Sequence, residues 1–271
     1  MNITRKRKST ITGGGIPKII HQIWIGENVM PRDWIDTVSK FAKVHGYKYM
    51  MWSESNINSL KWNSFKGLRA TYNKMNSQKS FAGCSDIIRL LALYEFGGIY
   101  IDADSVIMKS NKFARFLQNN KAAVFFGWRN EIEQKIKDIL VKDSSAEIRN
   151  TNKLVANGLI GSVKDHPFIV HLLNGITANV KKDETLRAWQ TVGPLYVSRE
   201  YFALKDKYPE IKVYPMRYFY PILWKNITDP KLHTKIKIPD MSMLFQYGYS
   251  TNHFEMYFNN CPRSQTRKKH Y

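Results

Sequence analysis

Four charged residues between positions 86 and 104 have the types and spacing to do chemistry. Asp102 and Asp104 stand two residues apart, directly after the short apolar stretch Ile99 to Ile101. On extended backbone such residues share a face, so the two carboxylates would point the same way. Close carboxylates repel each other unless a cation sits between them, and a divalent metal with open positions can neutralise a diphosphate. The pair therefore predicts a metal site suited to nucleotide-diphosphate chemistry.

The other two charged residues are Asp86 and Arg89, which lie one turn apart near the start of a predicted helix, Ser85 to Phe96. At this spacing both side chains can reach one ligand. An aspartate in the first turn of a helix is also what capping and the helix dipole favour, and the two residues could form an intrahelical ion pair. A paired carboxylate is still a well-oriented acceptor for a sugar hydroxyl, so these interpretations are compatible.

The elements that would position these residues begin with a strand, a helix and a second strand. IPKIIHQIWIG (Ile16 to Gly26) is apolar and β-branched, which is typical of a buried strand. Pro31 and Asp33 indicate a helix start, and Gly46 indicates its end. YKYMMW (Tyr47 to Trp52) predicts the second strand. This order implies a βαβ unit with a parallel strand pair.

The predicted helix that carries Asp86 closes at Gly97-Gly98, and a strand over Ile99 to Ile101 follows at once. This order places Asp102 and Asp104 at the carboxyl edge of a parallel sheet, where α/β proteins bind ligands. Three further predicted elements are a strand at Ala122–Trp128, a strand or turn at Asn157–Val163 and a helix at Pro167–Val180. Residues 129–152 are predicted to be a polar and charged segment that contains a helix. The last hundred residues are predicted to be irregular. The fold class is therefore α/β, in one domain.

Charge suggests a different starting hypothesis. The 42 Lys+Arg against 22 Asp+Glu give a net charge of +20, which favours polyanionic partners such as nucleic acid, an acidic membrane or phosphate-bearing ligands. Part of the excess lies in two tails, residues 1–15 and 261–271, so we expect one domain over 16–260. Because no zinc-finger spacing or other nucleic-acid motif accompanies the charge, a nucleic-acid-binding protein is kept only as an alternative.

Location in the cell is also an expectation from sequence. There is no secretory signal, no apolar window long enough to cross a membrane, and only two cysteines, Cys84 and Cys261. We expect a cytoplasmic or peripheral-membrane protein, with membrane contact through the basic tails.

The segment SDIIRLLALYEFGGIYIDADSV resembles the sugar-binding region of the DXD glycosyltransferases of family 32, which include α-1,6-mannosyltransferases and α-1,4-galactosyl- and N-acetylglucosaminyltransferases. IPKIIHQIWIG, YKYMMW, NGLIGSVKDHP and TVGPLYVSREY resemble other blocks of the family, so that the similarity covers roughly residues 16 to 258. A more distant resemblance is to the glycosylating domain of the large clostridial toxins, which shares the D-x-x-R and DXD arrangement.

The resemblance implies a GT-A fold, with a Rossmann-like nucleotide-binding sheet flanked by helices. It implies retaining transfer of a hexose or N-acetylhexosamine from a UDP- or GDP-sugar to a glycan, glycolipid or protein acceptor. It also implies dependence on Mn²⁺, with Mg²⁺ as an alternative. No nucleic-acid partner is expected on this view.

The site residues that the resemblance implies divide by role. The catalytic set is Asp86, Arg89, Asp102 and Asp104, in which Asp86 and Arg89 hold sugar and ribose hydroxyls. Asp104 matches the direct metal ligand, and Asp102 matches a contact to ribose or to metal-bound water. Trp24 falls where the base is held, with a core tryptophan as the alternative. Asn157 matches the block that lines the donor or acceptor side.

The C-terminal block departs from the family pattern. His253 matches a metal or phosphate ligand, with a structural histidine as the alternative, and Asn252 is a weaker candidate. Met256-Tyr257 stands where the family has Ser-Trp, so that a catalytically weakened, glycan-binding member of the fold is a further alternative. Gln190 and Gly193-Pro194 are expected to shape an acceptor-side loop or a plain turn. His21, inside the first strand, is expected to be a hydrogen-bonded core histidine.

Overall fold

A six-stranded mixed sheet forms the centre of the computed structural model, which describes residues 15–129, 153–182, 187–221 and 239–246. The strands in chain order are β1 (Ile19–Ile23), β2 (Lys48–Trp52), β3 (Gly98–Ile101), β4 (Ser105–Ile107), β5 (Val124–Arg129), β6 (Leu154–Ser162), β7 (Ile211–Tyr214) and β8 (Leu244–Gln246). The large sheet has the order β2-β1-β3-β6-β5-β7, and β4 pairs with β8 in a separate two-stranded sheet.

Helices cover both faces of the large sheet. They are, in chain order, α1 (Arg32–His45), α2 (Leu68–Ser77), α3 (Phe81–Phe96), α4 (Ser110–Asn119), α5 (Pro167–Lys182), α6 (Ala188–Thr191), α7 (Pro194–Leu204) and α8 (Met216–Phe219). Helices α2, α3 and α5 share one apolar cluster with the sheet, while α1, α4 and α8 share a second cluster. The predicted α/β class, with a Rossmann-like sheet flanked by helices, is confirmed.

The parallel half of the sheet carries the site. β1 pairs in parallel with both β2 and β3, which confirms the predicted βαβ unit. Helix α1 buries the face that includes Trp34, Val38 and Phe41, and ends at Gly46, whose φ of +70° favours glycine. Because the three parallel strands end at one edge, the residues that follow β1 and β3 lie side by side there.

A tight turn joins α3 to β3. Gly97 and Gly98 both have positive φ, +62° and +99°. A Cβ on Gly98 would stand 2.5 Å from the backbone oxygen of Ile19, so the turn can come this close to β1 only with glycine. The predicted structural role of these two glycines is therefore confirmed.

Four sequence expectations were wrong in their boundaries or form. Helix α3 begins at Phe81 and not at Ser85, because the apolar stripe that packs it extends one turn further back. Residues 103 and 104 lie in a turn and not on extended backbone. The strand alternative for Asn157–Val163 is correct, but this strand, β6, is buried and begins at Leu154. The strand predicted at Ile16 spans only Ile19–Ile23.

The C-terminal hundred residues are also more regular than expected, since α7 and β7 lie in them. Two predictions concern residues outside the described ranges. They are the polar segment at 129–152, of which only Arg129 is described, and the two basic tails, of which only Gly15 is described. Within the described ranges, no helix is both long and apolar enough to cross a membrane.

Candidate functional site

The centre of the site is a buried ion pair on α3. Asp86 and Arg89 lie 2.9 Å apart (Oδ1 to Nη2), with side chains that are only 8% and 6% exposed. The Asn157 amide donates to Asp86 Oδ1 at 2.8 Å, and Arg89 donates to the Asn157 backbone oxygen. Three of the residues predicted to contact the donor therefore form one network that ties α3 to β6.

Asp86 does not cap the helix. Because α3 begins at Phe81, Asp86 is in its second turn, and the expected first-turn position was wrong. Its pairing with Arg89 confirms the intrahelical ion pair as one of its roles.

The network continues to the DXD pair through Arg89. Its Nη2 lies 3.4 Å from Asp102 Oδ1, and its guanidinium stands over the Tyr100 ring at 4.4 Å from the centroid. Tyr100 donates its hydroxyl proton to Asp102 Oδ1 at 2.6 Å. One carboxylate oxygen of Asp102 is thus fixed from two sides, and its other oxygen faces away from this pair of contacts.

Asp102 and Asp104 converge although they sit in a turn. The Gln246 side-chain nitrogen donates to Asp102 Oδ2 at 2.7 Å and to Asp104 Oδ1 at 3.2 Å. Gly158 on β6 leaves space for this arrangement, since a Cβ there would stand 2.5 Å from Asp102 Oδ2. The predicted convergence of the two carboxylates is present, although its predicted cause, extended backbone, is not.

Burial and neighbouring charges set the protonation of the ion pair. Burial raises the pKa of Asp86 to about 6, against the lowering effect of Arg89. Burial acts to lower the pKa of Arg89, but Tyr100, Asp86 and Asp102 raise it on balance, so the guanidinium stays charged. A permanent buried positive charge therefore stands between two acidic side chains.

The carboxylate oxygens fit a hard divalent cation. Asp102 Oδ2 and Asp104 Oδ1 approach one point, which the Gln246 NH₂ group occupies with its partially positive hydrogens. Such oxygens are the ligands that Mn²⁺ and Mg²⁺ accept. In the described part of the chain no three His, Cys, Asp or Glu side chains gather into a metal cluster. His253, the third predicted ligand, and Asn252 lie outside the described residues.

Trp24 lies one residue past β1, at the sheet edge where β3 also ends. It is only partly buried, and its indole N–H donates to the Asn28 backbone oxygen at 2.9 Å. Trp24 is therefore not a core tryptophan, and its contact with a base stays a prediction.

His21 is a core histidine, as expected. Its Nε2 contacts the Gly97 oxygen at 2.8 Å, and its Nδ1 accepts from the Trp52 indole at 3.1 Å. Burial lowers the pKa of His21 to about 4, which keeps the ring neutral.

Gln190 and Gly193-Pro194 lie around the junction of α6 and α7. The Gln190 side chain accepts from the Arg187 backbone N–H at 3.1 Å and so caps α6. Gly193 lies at the bend that joins α6 to α7, and Pro194 is the first residue of α7, so the alternative of a plain turn is the correct one. A Cβ on Gly193 would stand 3.0 Å from Asp86 Oδ2, so the start of α7 packs closely against the Asp86 carboxylate.

Sequence reasoning missed Tyr100 and Gln246. Tyr100 could have been found, because it stands two residues before Asp102 on the same face of β3. Gln246 could not, because it is 142 residues from Asp104 and only the pairing of β4 with β8 brings it there.

The family comparison fits this geometry. Residues 31–123, about a third of the chain, match the family model described as "Glycosyltransferase sugar-binding region containing DXD motif". This range contains Asp86, Arg89, Asp102 and Asp104. The fold and the acidic site agree with this match to a glycosyltransferase sugar-binding region. Together with the similarity to curated mannosyltransferases, the match supports the family 32-like assignment that the sequence predicted.

Several curated relatives are similar over parts of the chain. Inositol phosphoceramide mannosyltransferase 1 of Schizosaccharomyces pombe is 30% identical over 95 residues, which are 33% of this chain and 28% of the relative. Mannosyl phosphorylinositol ceramide synthase SUR1 of Saccharomyces cerevisiae is 27% identical over 59% of this chain and 35% of the relative. An uncharacterized glycosyltransferase of Acanthamoeba polyphaga mimivirus is 30% identical over 59% and 55% respectively.

The chain thus spans less than half the length of the first curated relatives that it matches. Among solved structures, the PaToxG glycosyltransferase is similar with a TM-score of 0.49 and 19% identity, over 72% of this chain and 70% of that one.

Proposed function

We propose that the chain transfers a hexose or N-acetylhexosamine from a UDP- or GDP-sugar to an acceptor hydroxyl, with retention of configuration and with Mn²⁺ or Mg²⁺. The observation that supports this most is the continuous network from Asp86 and Arg89 through Asp102 to Asp104. It joins a group able to hold sugar hydroxyls to a pair able to hold a metal, at the kind of sheet edge where α/β proteins bind ligands.

Each residue has a distinct role in this proposal. Asp104 and Asp102 would hold the cation, which, when bound, neutralises the diphosphate and improves it as a leaving group. Asp86 and Arg89 would fix the sugar so that its anomeric carbon faces the acceptor. The buried ion pair suits this work because its atoms are already oriented and little water must be displaced from them.

Retention can follow either of two routes, a double displacement or a same-face reaction. In the same-face reaction the departing phosphate oxygen accepts the proton of the acceptor hydroxyl, so no protein nucleophile is needed.

Two further residues have supporting roles in the proposal. Trp24 would stack on the base, and Asn157 would hold Asp86 in place.

For the acceptor we propose a phosphate-bearing glycolipid. Two of the similar proteins carry the names of enzymes that mannosylate inositol phosphoceramide, and a net charge of +20 favours an anionic acceptor or surface. GDP-mannose with an inositol phosphoceramide is therefore the first donor and acceptor pair to test.

The test is a screen of UDP- and GDP-sugars with Mn²⁺, in which release of the nucleoside diphosphate is measured. We expect release from at least one donor, and its loss in Asp104→Ala. Asp206→Ala is the matched control, because Asp206 is exposed and follows α7. No release from any donor would favour a glycan-binding protein, and salt-sensitive binding of DNA or RNA alone would favour a nucleic-acid binder.

A further inference from the structure

Gln246 makes an unusual set of contacts. It ends β8 and pairs with Ser105 of β4, so its side chain reaches the turn that carries the two aspartates. Its Nε2 donates to both carboxylates, at 2.7 Å to Asp102 and 3.2 Å to Asp104. Its Oε1 is buried and has no hydrogen-bond partner within the described part of the chain. A buried acceptor without a partner is unfavourable, and the described contacts satisfy only the NH₂ end of this amide.

The amide is oriented by the charge of the aspartates. Ionised carboxylates only accept hydrogen bonds, so without a cation they attract the NH₂ end of the amide. A cation between the carboxylates would repel that end and attract the oxygen end. Rotation about the last side-chain bond exchanges the two ends without moving the backbone.

The distances suit this exchange. Neighbouring ligand oxygens around an octahedral Mg²⁺-sized ion are about 3 Å apart, for metal–oxygen distances of roughly 2.0–2.1 Å. The position of Nε2 lies 2.7 Å and 3.2 Å from the two carboxylate oxygens, on either side of that value. An oxygen at that position would therefore lie where a third ligand of the same ion belongs.

We propose that Gln246 is a metal-responsive amide of this site. Without metal it holds Asp102 and Asp104 together through Nε2, and with metal it turns to present Oε1 as a protein ligand. The proposal rests on the proposed function, since it requires that the aspartates hold a divalent cation. It adds a residue outside the DXD motif to the metal site.

The first experiment measures the affinity for Mn²⁺ alone, from the electron paramagnetic resonance signal of the free ion. We expect Gln246→Leu to weaken binding about 10-fold or more, as loss of a supporting metal-site contact does. Gln246→Glu, which keeps a side-chain oxygen at this position, should bind Mn²⁺ at least as tightly as the wild type. Gln118→Leu is the matched control because Gln118 is exposed on α4, and its affinity should not change.

Two results would overturn the proposal while leaving the proposed function intact. One is Gln246→Leu binding Mn²⁺ as tightly as, or more tightly than, the wild type, which means that the amide only restrains the carboxylates. The other comes from the wild-type protein and needs no variant: saturating Mg²⁺ would leave the ¹⁵N resonance of the Gln246 amide unshifted. If the wild type binds no Mn²⁺ even with a sugar nucleotide, the proposed function fails as well.

Discussion

The ion pair of Asp86 and Arg89 allows a quantitative test of the site. We consider Arg89→Met, which keeps the length of the side chain and removes its charge. The substitution deletes the 2.9 Å pair with Asp86, the 3.4 Å pair with Asp102 and the hydrogen bond to Asn157. Asp86 is then left 8% exposed and without its cation. Removal of one partner of a buried pair costs about 3–5 kcal/mol, so the free energy of unfolding should fall by that amount.

The assay is urea unfolding of the metal-free protein at neutral pH, followed by tryptophan fluorescence. Arg115→Met is the control, since Arg115 is exposed on α4 and should change stability by less than about 0.5 kcal/mol. The double variant with Asp86→Asn should lose less than the sum of the two single losses, because neither charge is then stranded. A loss below about 1 kcal/mol for Arg89→Met, or strict additivity in the double variant, would refute the reasoning.

Three further predictions concern the same region. Gly158→Ala should abolish Mn²⁺ binding, measured by paramagnetic resonance, because its Cβ would stand 2.5 Å from Asp102 Oδ2; unchanged binding would contradict the packing. Tyr100→Phe should raise the Kd for Mn²⁺ with the nucleotide several-fold by calorimetry, since it removes the 2.6 Å bond that fixes Asp102, and an unchanged Kd would argue against that role. Burial lowers the pKa of His21 to about 4. As the pH falls from about 6.5 to 4, His21 is therefore protonated in the unfolded chain before it is protonated in the folded one. The free energy of unfolding should decline over this range by up to roughly 3 kcal/mol. His21→Asn should flatten that decline in urea unfolding, and an undiminished slope would assign the protonation to other groups.

Local sequence signals predicted the parallel half of the fold well. The apolar runs, the glycines after α1 and α3 and the βαβ spacing each report on structure within a few residues, and the sheet edge follows from them. Asp86, Arg89 and Asp102 were found this way, because their helix and strand are adjacent in the chain. The start of α3 was misplaced, since packing against neighbouring helices extends it beyond the residues with a clear start signal.

Long-range pairing could not be predicted in the same way. Gln246 reaches the aspartates only because β8 pairs with β4 in a sheet separate from the large one. The capping role of Gln190 likewise depends on a short helix that its sequence does not indicate. Contacts of this kind depend on tertiary structure, which overrides local propensity.

The central claim is that the acidic pair binds a nucleoside diphosphate through a divalent cation. Its most direct test is a calorimetric titration of UDP and GDP into the wild type and Asp104→Ala, with and without Mn²⁺. The account predicts that at least one of the two binds the wild type only when Mn²⁺ is present, and that this binding is lost in the variant. Binding that depends neither on the metal nor on Asp104, or no binding of either nucleotide, would contradict it.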